Sequence, residues 1–173
     1  MIAAGQTKVI GLDDGVQAWI DADTGLMWEV KNEQNITFMY TWRKGSLNKV
    51  AESAIAYLED EITDCQGFID RMNDAKYAGY DDWRMPSISE LETLLYRNGE
   101  TTRVKEPLSH NVMSGVWSDT PTAALQALKL PPDFWRRTAA IYGIYIIDFR
   151  SMSVASYDHE FALWIRAVRG TAV

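Results

Sequence analysis

A single cysteine, Cys65, stands in the 173-residue chain, and that scarcity closes off several chemistries at once. One thiol makes no intrachain disulfide and cannot build a cysteine-rich zinc site. Its neighbours are apolar positions of a predicted helix, so it reads as a buried, inert thiol that packs like a small hydrophobe. A catalytic thiol would want a nearby histidine, and the two present, His110 and His159, lie far away in sequence. Basic runs are missing too. A net charge of -7 and a pI near 4.8 argue against a general polyanion binder, because a phosphate backbone demands a concentrated cationic surface. Arg136-Arg137 is the notable local basic spot. No stretch approaches the roughly 18 apolar residues of a membrane span. Met1–Ile10 has neither the basic nor the apolar region of a signal peptide, so the chain as given is expected to be soluble and an exported form would have had its leader trimmed. Internal repeats and low-complexity segments are absent.

What is present is an ordinary globular composition, 47% hydrophobic, 12% aromatic and 24% charged, sufficient for one domain over residues 1–173 with a real core. Residues 8–30 read as a hairpin: Val16–Ile20 alternates, Asp21–Gly25 turns, and Leu26–Val30 resumes. The middle is helical. Leu47, Val50, Ala51, Ala54, Ile55 and Leu58 recur at helical spacing, and Thr63 opens a second segment with Phe68, Ile69 and Met72 on one face. From Val116 onward the pattern is β, with Val116–Ser118, Gly143–Phe149, Ser151–Tyr157 and Leu163–Arg169 as short strands rich in branched and aromatic residues. Thr120–Ala140 carries three prolines and no clean period, which predicts a long surface loop with a helical turn around Ala123–Leu128. Strands at both ends with helices between define an α+β domain whose terminal strands could pair and bring the N and C termini together.

The most specified stretch is Gly79–Leu91. Gly79, Asp81 and Asp82 break the preceding helical pattern, and Pro86 disfavours helix at Met85. Ser87 and Glu90 form a capping box that starts a helix over Ile88–Tyr96. Trp28, Trp83 and Trp117 read as core tryptophans, each indole N–H needing a buried acceptor. Arg84 and Arg166 stand among apolar neighbours. A structural ion pair is expected there, with Asp81, Asp82 or Glu90 able to supply a bidentate carboxylate.

Read in order, Asp21–Lys31, Thr41-Trp42, Phe68–Asn73, Ala78–Leu91, Trp117–Thr120 and Ile165–Gly170 resemble the successive motifs of the Lcl carboxy-terminal domain family. The resemblance spans residues 21–170. It implies a C-type-lectin-like fold, with a mixed or antiparallel sheet, two or three helices and long irregular loops, related to the formylglycine-generating enzymes and to variable proteins diversified by retroelements. Ala78 stands where many members carry a cysteine, Met85 replaces the usual leucine, and Asp119 interrupts the Ser-Ser-Thr pattern. The missing cysteine weakens any inference of an oxidising compartment. Members usually sit in exported or surface proteins, so the resemblance implies a secreted or cell-surface location, with the cytoplasm left open.

Enzymatic readings find little in these residues. Copper-dependent oxidation as in the formylglycine-generating enzymes needs paired cysteines, which this chain lacks. Asp148, Asp158, Ser151, Ser153 and His159 could compose a hydrolytic set, but no strained nucleophile turn accompanies them. Asp13-Asp14, Asn32-Glu33 and Asp81-Asp82 are isolated pairs rather than a calcium cluster, so neither a metal nor a cofactor is expected.

The expected function is therefore binding, through a variable face between residues 118 and 162. Trp135, Tyr142, Tyr145 and Tyr157 supply flat apolar surface there, and Arg136, Arg137, Arg150, Ser153 and His159 supply polar contacts, a composition that suits sugar stacking and protein hot spots alike. The ligand expected is a glycan or a protein surface, with no nucleic acid and no membrane insertion. The alternative is a structural or interaction domain of a surface, pilus or phage-like assembly, which an exposed patch at Leu128, Leu130 and Phe134 would favour.

Overall fold

The computed structural model describes residues 6–12, 15–31, 36, 39–42, 64–98, 101–108, 115–122, 143–158 and 161–171. Within them the architecture is mixed α+β, with mostly antiparallel strands and two α-helices. The predicted helix over 47–58 and residues 123–140 of the proline-rich loop lie outside the described residues; the first two residues of that expected loop, Thr120 and Pro121, instead end a strand.

The N-terminal hairpin forms where the alternation places it. Strand β2 (Gly15–Asp21) turns into β3 (Met27–Glu29), and Trp19 sits opposite Trp28 across the pair. Asp21 makes the turn: its carboxylate accepts the Asp23 amide at 3.2 Å and the Thr24 hydroxyl at 2.9 Å, while Gly25 takes the left-handed conformation (φ 72°) that a side chain would strain. A further strand, β1 (Gln6–Leu12), pairs with β2 beyond what the alternation announced.

Helix α1 (Cys65–Asp74) starts one residue later than the Thr63 signal suggested, because the Asp64 carboxylate is the cap, accepting the Gly67 amide at 3.0 Å. Cys65, Ile69 and Met72 face the core. A single 3₁₀ turn (Tyr77–Gly79) follows, with Ala78 and Gly79 at positive φ. Helix α2 (Ile88–Glu92) has both halves of its capping box, Glu90 amide to Ser87 hydroxyl at 3.2 Å and Ser87 amide to Glu90 carboxylate at 2.8 Å. It ends at Glu92 rather than Tyr96. The Thr93 hydroxyl donates to the Glu90 carbonyl at 2.6 Å, and Leu95–Asn98 leaves as β5 to pair with β6 (Thr101–Val104), Asn98 opposite Thr101. The Asn98-Gly99 dipeptide was the available hairpin signal.

Four short segments tie the chain ends to the middle. Strand β4 (Tyr40–Thr41) pairs with β10 (Ala162–Leu163), and β11 (Val168–Arg169) pairs with β3, completing a sheet ordered β1-β2-β3-β11. The N- and C-terminal strands thus share a sheet, although β11 joins β3 rather than β1. The single strand expected over Leu163–Arg169 is two, because the chain leaves β4 for β3 and buries Ile165, Arg166 and Ala167 on the way.

A second antiparallel sheet runs β7 (Gly115–Pro121), β8 (Ile144–Asp148), β9 (Ser153–Tyr157). Strand β9 begins at Ser153 because Arg150–Met152 form its turn, Met152 at φ 53°. Strand β8 has both faces covered. Ile144 and Ile146 enter a cluster with Trp83, Trp117, Met27, Ile69 and Ile165, while Ile147 enters another with Trp19, Trp28, Leu91, Leu94 and Val116. Burying each of these aliphatic side chains contributes about 1.5–3 kcal/mol.

Candidate functional site

Two groups of side chains answer to the sequence reading: the motif residues, which converge on one another, and the β8–β9 hairpin, which faces outward.

The motif residues are mutual partners. Trp28 and Trp117 are fully buried and Trp83 nearly so. The Trp83 indole donates to the Tyr77 carbonyl and that of Trp117 to the Tyr40 carbonyl, each at 2.9 Å. Trp28 departs from the expectation, since its buried indole nitrogen has no acceptor among the described residues. Asn73, quoted above only as part of a motif, brackets the backbone of Trp83: its side-chain oxygen accepts the Trp83 amide at 2.8 Å and its nitrogen donates to the Trp83 carbonyl at 3.0 Å. Arg84 then exchanges both backbone bonds with Val168 (2.9 and 3.0 Å), so the Gly79–Leu91 segment docks onto the last strand of the first sheet. Ser118 is buried and bridges the second sheet, donating to the Tyr145 carbonyl at 2.6 Å and accepting the Thr120 amide at 3.1 Å.

Arg84 pairs with Glu90 in a two-pronged bridge, 2.8 and 2.5 Å, and donates further to the Gly170 carbonyl at 3.0 Å. Its side chain is 40% exposed, so the pair clamps the helix start from the surface. The hydrogen bonds that Arg84 donates to Glu90 raise the Arg84 pKa. Burial alone would push Glu90 up, but the bonds from Arg84 and Ser87 outweigh it and hold the carboxyl below its usual range. Asp82 belongs to another arginine: Arg169 donates to it at 2.5 and 3.0 Å while lying 3.7 Å over the Tyr80 ring, and the hydrogen bond from Arg169 lowers the Asp82 pKa.

Arg166 is buried, and it sits in a charged cluster that sequence reading missed. The Lys31 ammonium lies 2.6 Å from the Glu29 carboxylate, both side chains 1% exposed. Arg166 donates to the Glu29 carbonyl at 2.7 Å, and the second carboxylate oxygen of Glu29 accepts the Ala167 amide at 3.1 Å. Lys31 also stands 4.4 Å over the Phe68 ring. Burial pulls the Lys31 ammonium below the ordinary lysine range against the opposing pull of Glu29. The same burial brings Arg166 down to about 10, still charged at neutral pH. Met27, Glu29 and Lys31 alternate onto one side of β3 and its continuation. The signal was there in the apolar residues on the other side, Trp28 and Val30, which are buried as well. Burial also pushes the adjacent Cys65 thiol well up, with Asp64 adding to the shift, which leaves little thiolate at neutral pH.

A second missed pair closes the Asp21 turn. Lys105 reaches both Asp21 oxygens at 3.1 and 2.9 Å and Asp23 at 2.8 Å. Its own burial is outweighed by those hydrogen bonds, so its pKa is raised. Among the described residues no group of three His, Cys, Asp or Glu side chains is placed to hold a metal ion, and no helix is long and apolar enough to cross a membrane.

Of the expected contact residues, Trp135, Arg136, Arg137, Tyr142 and His159 lie outside the described residues, as do Leu128, Leu130 and Phe134. The other four are on the hairpin, but not on one face. Ile144 faces Tyr157, Ile146 faces Ala155 and Asp148 faces Ser153 across the ladder, while Tyr145 faces Ser156. Directly opposed residues share a side of the sheet and neighbours alternate. Tyr157 and Ser153 therefore share one side, and Tyr145 projects from the other. Arg150 is exposed in the turn, its amide held by the Asp148 carboxylate at 2.9 Å. The hydroxyls of Ser151 and Ser153 bond to each other at 2.7 Å; these serines and Asp148 thus stabilise a turn. Phe161, absent from the sequence-derived set, packs edge-on against Tyr157 with centroids 5.7 Å apart. The two rings are 56% and 41% exposed, an aromatic pair held at the surface by the Phe161 amide to the Asp158 carbonyl, 3.0 Å.

An antiparallel α+β scaffold whose recurrent motif residues interlock and whose hairpin presents aromatic surface defines the class to which this chain belongs. The family model of the Lcl C-terminal domain matches residues 17–169, and the chain is a member of that family. Comparison with curated proteins and with solved structures gave no match.

Proposed function

We propose that the chain is a non-enzymatic recognition module with a C-type-lectin-like fold that binds a glycan or a protein surface, of the variable kind that retroelements diversify, and that it acts in a secreted or cell-surface setting. The observation that carries the reading is the exposed Tyr157–Phe161 pair at the edge of a sheet whose central strand is locked in the core. Flat aromatic faces stack on sugar rings or fill pockets on a protein partner at low entropic cost. Trp135, Arg136, Arg137, Tyr142 and His159, outside the described residues, remain contact residues in the proposal on their chemistry alone.

The test is a glycan and protein array probed with the wild-type chain and with Tyr157→Ala/Phe161→Ala. Saturable binding that the double substitution weakens at least tenfold supports the reading. Absence of any saturable ligand, or binding indifferent to both rings, overturns it. A second reading, an assembly domain docking to another protein, is favoured by the apolar surface that Tyr157 and Phe161 expose together, and it predicts co-purification with a protein partner and no response on the glycan array.

A further inference from the structure

Gly143 stands immediately before β8, buried, in the left-handed conformation at φ 73°. A Cβ at that position would lie 3.1 Å from the Tyr157 carbonyl oxygen and 3.5 Å from the Ser156 Cβ, so the backbone entering β8 approaches that of β9 more closely than most side-chain carbons tolerate. The Gly143 carbonyl also accepts the Thr122 amide at 3.3 Å. Its neighbour Ile144 is paired with Pro121 on one side and with Tyr157 on the other. The ends of all three strands of the second sheet are therefore registered at this one glycine.

We infer that Gly143 is a positioning residue for the Tyr157–Phe161 pair, fixing where those rings stand rather than touching the ligand; this rests on the reading of the pair as the recognition surface. Tyr157 is the last residue of an outer strand, and among the described residues β9 is laddered only to β8. The atom nearest the missing side chain is the carbonyl oxygen of Tyr157 itself. Being backbone, it yields only if the end of β9 moves, and the Tyr157 ring moves with it. Phe161 is tied to the same point, by its amide to the Asp158 carbonyl at 3.0 Å and by its edge-on contact with Tyr157, so a displaced strand end opens the pair.

The two demands on position 143 separate by substitution. Asparagine tolerates the left-handed region better than most residues that carry a side chain, but it still brings a Cβ toward the Tyr157 carbonyl. Gly143→Asn therefore tests the close approach, and Gly143→Ala tests the approach and the backbone conformation together.

The experiment is NMR of the whole chain without ligand, read at the ring-to-ring NOEs between Tyr157 and Phe161 and at the Trp117 indole and Ile146 methyl signals, which report the core side of β7 and β8. Expected is a Gly143→Asn variant with native Trp117 and Ile146 signals in which the ring NOEs weaken and the Phe161 ring signals shift, and a Gly143→Ala variant that melts lower and shows the same loss. On the glycan and protein array, Gly143→Asn weakens at least tenfold whatever binding Tyr157→Ala/Phe161→Ala weakens. Ring NOEs retained in Gly143→Asn overturn the inference. So does a Gly143→Asn variant that loses the Trp117 and Ile146 signals as well, because Gly143 would then hold the whole sheet rather than the pair. Array binding that needs both rings but is indifferent to Gly143→Asn overturns the inference and leaves the proposed function standing, whereas an array with no saturable ligand overturns the proposed function and leaves the ring NOEs to decide the role of Gly143.

Discussion

Glu29 is the residue whose loss should hurt the fold most out of proportion to its size. Among the described residues the buried cluster sets two cations, Lys31 and Arg166, against the Glu29 carboxylate, and all three side chains are nearly inaccessible. Glu29→Gln takes away the carboxylate that the Lys31 ammonium touches and leaves the repulsion between Lys31 and Arg166 in the core. Removing one partner of a buried pair costs about 3–5 kcal/mol, which for a chain of this length lowers the melting temperature by roughly 6–20 °C. Lys31→Met moves the other way electrostatically: it leaves one cation with one carboxylate, and the new side chain can pack against Phe68, so the expected loss is about 1 kcal/mol. Adding Lys31→Met to Glu29→Gln should then recover stability, a coupling of opposite sign to simple additivity. The pH dependence follows. Lys31 has a folded pKa below its unfolded one, so the unfolded state binds more protons between the two values and stability rises with pH in that window, up to 10.5. Losing Glu29 lowers the folded value further and widens the window downward, so the deficit of Glu29→Gln should shrink as pH rises toward 10.5. Urea unfolding of the four chains of the cycle at several pH values measures all of this. A Glu29→Gln variant no less stable than Lys31→Met, or a strictly additive double variant, would refute the reasoning.

Three further outcomes are expected. Asn73→Ala strips two hydrogen bonds from the backbone of Trp83 and should cost about 2 kcal/mol in denaturant unfolding, with indole fluorescence of the native state altered. Lys105→Met leaves the buried Asp21 carboxylate with only its turn donors and should destabilise by about 2 kcal/mol, a loss that Asp21→Asn added to it should reduce. Glu90 has a folded pKa below its unfolded value, so its contribution is present above the ordinary glutamate range and is lost as pH falls through the folded pKa; Glu90→Gln should make the acid limb of the stability profile shallower below pH 4.5.

How much of this was legible depended on whether the signal was local. The Asp21–Gly25 turn and the Ser87–Glu90 box are written in consecutive residues, and both formed as read. The sequence extends helix α2 to Tyr96 because Leu94 and Leu95 continue the apolar stripe, whereas Leu95–Asn98 pairs with Thr101–Val104 as a strand. Glu29 and Lys31 were opaque for a different reason. Charges are assigned to solvent by default, and only knowledge that both sides of β3 are covered, one by Cys65, Ile69 and Met72 of α1 and the other by Leu91, Leu94 and Ile147, shows that they must be inside. Composition alone groups Tyr145 with Tyr157, but the period-two alternation of β8 and its register against Ser156 send Tyr145 to the side opposite Tyr157. Phe161 went unnoticed because it lies just beyond a strand, where an aromatic carries no periodic signature.

The division between the interlocked motifs and the open hairpin has a consequence for how the chain tolerates change. Asn73, Trp83, Arg84, Val168 and Glu90 hold one another, so altering one strands the others. Strand β9 is held chiefly through the β8 ladder, and β8 is fixed by Ile144, Ile146 and Ile147 reaching two separate apolar clusters. Four of the five β9 side chains therefore contribute surface without carrying the core. Exposed substitutions away from such contacts usually change stability by no more than about 0.5 kcal/mol each, so a library at Ser153, Val154, Ser156 and Tyr157 restricted to β-compatible residues should keep a cooperative unfolding transition near that of the parent while ligand affinity varies widely. A library in which most members fail to fold would show that the hairpin belongs to the scaffold and that the recognition face must be sought elsewhere.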